Sequence, residues 1–201
     1  MAKLYLRYAT MESGKSAEIL QVNYNYNKVG MNGILLIPQI DTTSNGTISS
    51  RLGISSPALP IKKTDNLYEL IKERHDKEKL SYIILDESNF ISREQADQLS
   101  DVVDFLDIDV LAYGLLTDFK TALFEGTARL IELQDELAEI SVKSICHCGE
   151  KANFNARIVN GEIVKEGEQI VLDLKDGKEH EVKYVPLCRK CFKLNKWKLD
   201  K

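Results

Sequence analysis

Hydrophobic residues recur along the chain in two alternating textures. Short apolar runs near Lys3 to Tyr8, Gly33 to Pro38, Ser81 to Asp86 and Val110 to Gly114 have the length and character of strands. The stretches between them repeat at helical spacing. The first runs from about Lys15 to Val29 with Ile19, Leu20 and Val22 inward, and Gly30 is its stop signal. The second, Leu67 to Lys79, turns Leu67, Leu70 and Ile71 inward and Lys72, Glu73 and Arg74 outward. A third begins after Ser92, where Ser92-Arg93-Glu94-Gln95 reads as a capping box ahead of Ala96, Leu99, Val102 and Val103. Strands alternating with helices predict a parallel sheet joined by crossovers.

Two segments break this rhythm. From about Thr42 to Lys63 the chain is rich in Ser, Thr and Gly, with Pro57 and Pro60 near its end, and reads as a long loop. From about Cys146 onward short alternating stretches are punctuated by Asn160-Gly161 and Asp176-Gly177, which predicts β-hairpins. Residues 1–143 therefore read as an α/β domain and residues 144–201 as a small β-rich one.

Composition narrows the functional class. With 43% hydrophobic and 29% charged residues the chain can bury a core, which excludes a disordered tail or a fibre. A formal net charge of -4 gives no basic field for polyanions, so neither nucleic acid nor an anionic membrane is expected as a partner. No apolar run approaches the roughly 20 residues that span a bilayer. Arg7 interrupts the place of a signal core, and the expected location is the cytosol. All four cysteines, Cys146, Cys148, Cys188 and Cys191, lie in the last third, as for one clustered site that holds metal in a reducing compartment.

The sharpest chemical signal is Ala9-Thr10-Met11-Glu12-Ser13-Gly14-Lys15-Ser16, directly after the first strand and opening the first helix. It fits the phosphate-loop pattern GxxxxGK[ST] except at its first position, where Ala9 replaces glycine. Such a loop surrounds phosphate with backbone amides, places a lysine ammonium on the outer phosphates and sets a hydroxyl near Mg2+. Gly-Lys-Ser can also arise by chance at an ordinary turn, but the strand-to-helix context is the one the motif requires. A second signal is Ile83-Ile84-Leu85-Asp86-Glu87, an apolar strand ending in two carboxylates. Asp86 would hold magnesium, while Glu87 points to the pocket beyond the strand ends, where it can take a proton from an attacking hydroxyl. Read alone, the same two acids could simply cap the following helix. Cys146-His147-Cys148 and Cys188-Arg189-Lys190-Cys191 suggest one tetrahedral zinc site, with His147 a bystander because four thiolates complete the shell.

Together with Asp86-Glu87-Ser88-Asn89-Phe90 and Tyr113-Gly114-Leu115-Leu116-Thr117-Asp118-Phe119, these motifs make the chain resemble the thymidine kinase family with a phosphate loop and a zinc-bearing lasso domain. The resemblance runs from about Lys3 to Phe192, and bacterial members are nearest. It implies a P-loop NTPase-like parallel sheet with flanking helices plus a small zinc-containing β-rich lasso domain. It also implies transfer of the γ-phosphoryl of ATP to the 5′-hydroxyl of thymidine or deoxyuridine, giving the monophosphate and ADP. Residues Ala9 to Ser16 with Asp86, Glu87, Ser88 and Asn89 would bind the nucleotide and Mg2+, and Glu87 matches the family's general base. Phe119 matches an aromatic that lies against the thymine ring, and Tyr184 a tyrosine at the nucleoside. The stretch from Glu166 through Gln169, Ile170 and Val171 resembles the backbone that reads the base, with Leu172 and Asp173 following it. Relatives of this kind are usually homotetramers inhibited by dTTP.

The chain departs from the family pattern at Ala9, at Thr43 and in the lasso. Thr43 stands where many members carry an arginine that neutralises the transferring phosphoryl, which leaves Arg51 or Lys15 to compensate. Leu172-Asp173-Leu174 replaces a common Gly-Gly turn. The competing readings are a P-loop ATPase in which Glu87 activates water, and a weakened nucleotide-binding regulatory module whose zinc domain is an interaction surface.

Overall fold

A computed structural model describes residues 1–40, 46–169 and 182–198. Its larger sheet has six strands in the order β5-β2-β6-β7-β1-β8, all paired in parallel. These are β1 (Leu4–Tyr8), β2 (Gly33–Pro38), β5 (Leu59–Ile61), β6 (Tyr82–Leu85), β7 (Asp109–Gly114) and β8 (Glu136–Glu139). The helices are α1 (Lys15–Lys28), α2 (Leu67–Lys77), α3 (Arg93–Leu106) and α4 (Glu125–Leu133).

Period-two alternation within the strands feeds two cores. Ile83, Leu85, Val110 and Ala112 pack with Leu67, Ile71, Leu99, Val102 and Leu130 from α2, α3 and α4. Tyr82, Ile84, Leu111 and Tyr113 pack on the other face with Ile19 and Leu20 from α1. Every residue of β6 is buried, which is why its sequence reads as an uninterrupted apolar run. The capping box at Ser92 is formed by reciprocal bonds with Gln95.

The stretch expected to be one long loop is partly ordered. Thr47–Ser49 (β3) and Ser55–Pro57 (β4) form a small antiparallel ribbon, and β5 adds an edge to the main sheet. Ile48 and Ile61 bury themselves and supply the driving force, while Pro60 is tolerated because β5 is an edge strand. Helix α4 and strand β8 are additions to the predicted elements: α4 is a short amphipathic helix burying Gly126, Thr127 and Leu130, and β8 is a half-exposed edge whose pattern is weak.

The second sheet is three-stranded, ordered β10-β9-β11 from Phe154–Val159 (β9), Glu162–Val164 (β10) and Val182–Leu187 (β11). The predicted hairpin at Asn160-Gly161 joins β9 to β10, both turn residues having positive φ (51° and 85°). Asp176-Gly177 lies outside the described residues. The short helix α5 (Arg189–Lys193) follows β11. No helix among the described residues is long and apolar enough to cross a membrane.

Candidate active site

Because the strands of the main sheet are parallel, the carboxyl ends of β6, β7 and β1 lie side by side. Three loops leave from there. The loop after β1 is tied to its neighbour by the Ala9 amide, which donates to the Gly114 carbonyl at 3.2 Å. Gly14 sits at φ 81°, in the left-handed region that favours glycine, and its carbonyl receives the Glu18 amide to start α1. Ser13 Oγ and Lys15 Nζ both donate to the Thr10 carbonyl, at 2.7 and 3.3 Å, so the loop is cross-braced from within. Lys15 is buried although charged.

After β6 come the two predicted carboxylates. Ser16 Oγ donates to Asp86 Oδ2 at 3.4 Å, which brings the end of the phosphate loop to the end of the acidic strand. Asp86 is buried, and burial together with the adjacent Glu87 charge pushes its pKa up to about 7. The Glu87 amide, Lys15 and Ser16 pull the other way. A divalent cation beside Ser16 and Asp86 would relieve that crowding, so this donor set, one carboxylate and one hydroxyl, fits Mg2+.

Glu87 is half-buried and sits at φ 50°, ψ 39°, a left-handed conformation costing a non-glycine residue about 1–3 kcal/mol. The turn Ser88–Phe90 that follows is pressed against β7. A β-carbon on Gly114 would come within 2.6 Å of Ser88 Oγ and 3.0 Å of the Asn89 amide. Asn89 Oδ1 accepts the Leu115 amide at 3.0 Å, and Ser88 and Asn89 are both buried. These two therefore brace the Glu87 turn against β7.

The third loop, after β7, carries Thr117-Asp118-Phe119. Asp118 Oδ1 accepts the amides of Lys120 and Ala122, while Oδ2 accepts Gln169 Nε2 at 3.1 Å. Lys120 Nζ donates to the Gly167 carbonyl at 3.2 Å. Phe119 is fully buried, and the Arg157 guanidinium lies 3.5 Å from its ring centroid. Arg157 Nε donates to the Tyr184 hydroxyl at 2.9 Å, and its terminal nitrogens donate to the carbonyls of Glu168 and Gln169 at 2.9 and 3.0 Å. Phe119, Gln169 and Tyr184 are thus brought together. Ile170, Val171, Leu172, Asp173 and Thr43 lie outside the described residues.

Arg157 and Asn155 carry contacts that the sequence motifs do not announce. Asn155 Oδ1 accepts the Met11 amide at 2.8 Å, and Ser144 Oγ donates to the Met11 carbonyl at 2.6 Å, so the phosphate loop is pinned from the side that carries the cysteines. Each bond is worth about 0.5–1.5 kcal/mol. The signal was present in the alternation of β9: Ala156 and Ile158 enter the small core, which turns Asn155 and Arg157 to the opposite face. Two buried polar residues on that face announce a partner. Among the described residues no carboxylate pairs with Arg157, so its desolvation is offset by the two carbonyls, the hydroxyl and the Phe119 ring.

The four sulfurs lie within 4.8 Å of one another, all from free cysteines. Cys146 and Cys148 occupy a turn closed by the Cys146 amide on the Glu150 carbonyl and by Gly149 at φ 90°. Cys188 caps α5, its sulfur accepting the Cys191 amide. Tetrahedral zinc with Zn–S bonds of about 2.3 Å spaces its sulfurs about 3.8 Å apart, and Cys148 and Cys188 sulfurs are 3.7 Å apart. The Cys191 amide and the neighbouring thiols hold the Cys188 thiol down at about 7, whereas burial and the same neighbours push Cys191 up to about 12. Thiols this crowded become four thiolates only around a cation, so the set fits zinc. His147 turns away, with Nε2 at 3.1 Å from the Lys196 carbonyl.

Comparison with known proteins agrees with this geometry. The sequence model described as "Thymidine kinase" matches residues 2–192. The thymidine kinase of Mannheimia succiniciproducens is 46% identical over 201 residues, covering 99% of each chain. Those of Legionella pneumophila strain Lens and Rhodopirellula baltica are 47% and 44% identical, each over 96% of this chain, and 90% and 89% of their own lengths are covered. A match of this extent, spanning this chain's phosphate-loop motif, acidic strand and four cysteines, leaves one conclusion: the chain belongs to the thymidine kinase family.

Proposed function

We propose that this enzyme transfers the γ-phosphoryl of ATP to the 5′-hydroxyl of thymidine or deoxyuridine, with Glu87 as the general base. One observation carries the assignment. The Ser16–Asp86 contact joins the phosphate loop to the acidic strand, and Glu87 is held in a left-handed turn directly after it. A carboxylate there would be free to take a proton while Ser16 and Asp86 would hold the metal.

In the reaction, the loop amides other than those of Ala9 and Met11, which already donate to Gly114 and Asn155, receive the phosphates together with the Lys15 ammonium and neutralise their charge. Ser16 and Asp86 would hold Mg2+, which supplies charge stabilisation on the transferring group. Glu87 accepts the proton of the nucleoside hydroxyl as it attacks. Ser88 and Asn89 keep the Glu87 turn against β7. Phe119, Tyr184, Gln169 and the residues from Ile170 to Asp173 bind the nucleoside. Because the Glu168 and Gln169 carbonyls accept from Arg157, recognition of the base falls to other atoms of that segment.

We place the division between the phosphate-binding domain and the zinc-bearing lasso near residue 143. On the resemblance already described we also assign a cytoplasmic location, a homotetrameric assembly and feedback inhibition by dTTP. Glu87→Gln tests the central role: thymidine-dependent ADP release should fall about 10²- to 10⁴-fold while ATP still binds. Full transfer by this variant at neutral pH would remove Glu87 from the mechanism.

A further inference from the structure

Arg157 is 3% exposed, carries a full charge, and touches three separate parts of the nucleoside side at once. Its plane lies against Phe119 of the β7–α4 loop, its Nε reaches Tyr184 on β11, and its two terminal nitrogens reach successive carbonyls at Glu168 and Gln169. A hydrophobic side chain would fill the same space without a desolvation cost. What only a guanidinium supplies is direction: a rigid planar fork whose donors fix several acceptors in one plane while its face stacks on an aromatic ring. The position is itself well supported, since β9 is paired on both sides and Arg157 lies opposite both Val164 and Tyr184.

Resting on the reading that Phe119 and Tyr184 hold the nucleoside, we propose that Arg157 is a positioning residue for thymidine. One guanidinium sets the Phe119 ring, the Tyr184 hydroxyl and the backbone at Glu168 and Gln169, and so fixes the geometry from which the lasso continues. The phosphate loop is held by other contacts, from Asn155 and Ser144 to Met11, so the effect of Arg157 falls on the nucleoside and not on ATP.

The test uses the full zinc-loaded enzyme and the variants Arg157→Lys and Arg157→Gln, with thymidine and ATP varied separately and zinc measured per chain. Both variants should raise the thymidine KM at least tenfold, with kcat within about threefold, the ATP KM within about twofold and one zinc retained. Lysine should fail to rescue, because a point charge cannot hold two carbonyls and a hydroxyl in one plane. An unchanged thymidine KM in either variant overturns the proposal. So does a proportional loss of kcat and both KM terms with zinc, which marks a merely structural role. A lower thymidine KM in Arg157→Gln also overturns it, by showing that the guanidinium stands in the place of the base. Wild-type enzyme without thymidine-dependent ADP release would instead sink the underlying functional reading.

Discussion

The two sheets of this molecule are held by different means. The six-stranded sheet is covered on both faces by apolar residues from its own strands and helices, with no cysteine in either core. The three-stranded sheet has a small core of Ala156, Ile158, Leu187 and Phe192, to which Cys146, Cys188 and Cys191 add their sulfurs. A core that small is marginal by itself, and a metal is the usual supplement. The groups proposed for catalysis, Lys15, Asp86 and Glu87, belong to the larger sheet and the loops at its strand ends. Arg157 and Tyr184, by contrast, lie on the smaller sheet, beside the four cysteines that fit a zinc ion. Affinity for the nucleoside and chemistry at the phosphate are therefore separable.

Loss of the metal should have the largest effect. Cys188→Ser, or stripping zinc with a chelator, should abolish thymidine-dependent transfer while ATP binding changes only a few-fold. Zinc content and nucleotide binding measured on one preparation check this, and full activity without metal would contradict it.

A second variant separates stability from function inside the larger sheet. Asp86→Asn should lower transfer by about 10²-fold or more through loss of a metal ligand. It should also stabilise the metal-free protein at alkaline pH. The Asp86 carboxyl is raised to about 7, so its contribution to stability is complete below the unfolded value of 3.8 and is lost as pH rises through 7. The variant should therefore melt a few degrees higher than wild type at pH 8, with the gap closing near pH 4, as thermal denaturation would reveal.

Asn155→Ala acts at the seam between the sheets. It leaves the Met11 amide without its acceptor, at a cost of about 1–3 kcal/mol. Because Met11 belongs to the phosphate loop, the ATP KM should rise several-fold, unlike the outcome for Arg157. The smallest effect is expected at Arg51, whose exposed ion pair with Glu12 is 3.1 Å long. Arg51→Ala should leave stability within about 1 kcal/mol and reduce turnover a few-fold if Arg51 compensates for Thr43. Unchanged turnover with normal thymidine binding would end that idea.

The hydrophobic pattern revealed the parallel sheet because strands buried on both faces, such as Tyr82–Leu85, are apolar throughout. The phosphate loop and the cysteines were equally legible, since their chemistry demands particular residues at fixed spacing. The edges were not. Strand β8 alternates too weakly to be distinguished from a loop, and β5 is short and contains proline. Arg157 was hidden for another reason: its role comes from partners 11, 12, 27 and 38 positions away, which no local motif encodes.

The role of Glu87 as acceptor of the nucleoside hydroxyl proton underlies every other assignment. Its most direct measurement is ADP release at neutral pH with and without thymidine, for wild type and Glu87→Gln. Thymidine-dependent release in the wild type that nearly vanishes in the variant is the expected result. Equal release without thymidine, still sensitive to Glu87→Gln, would mean that water is the acceptor and would contradict it.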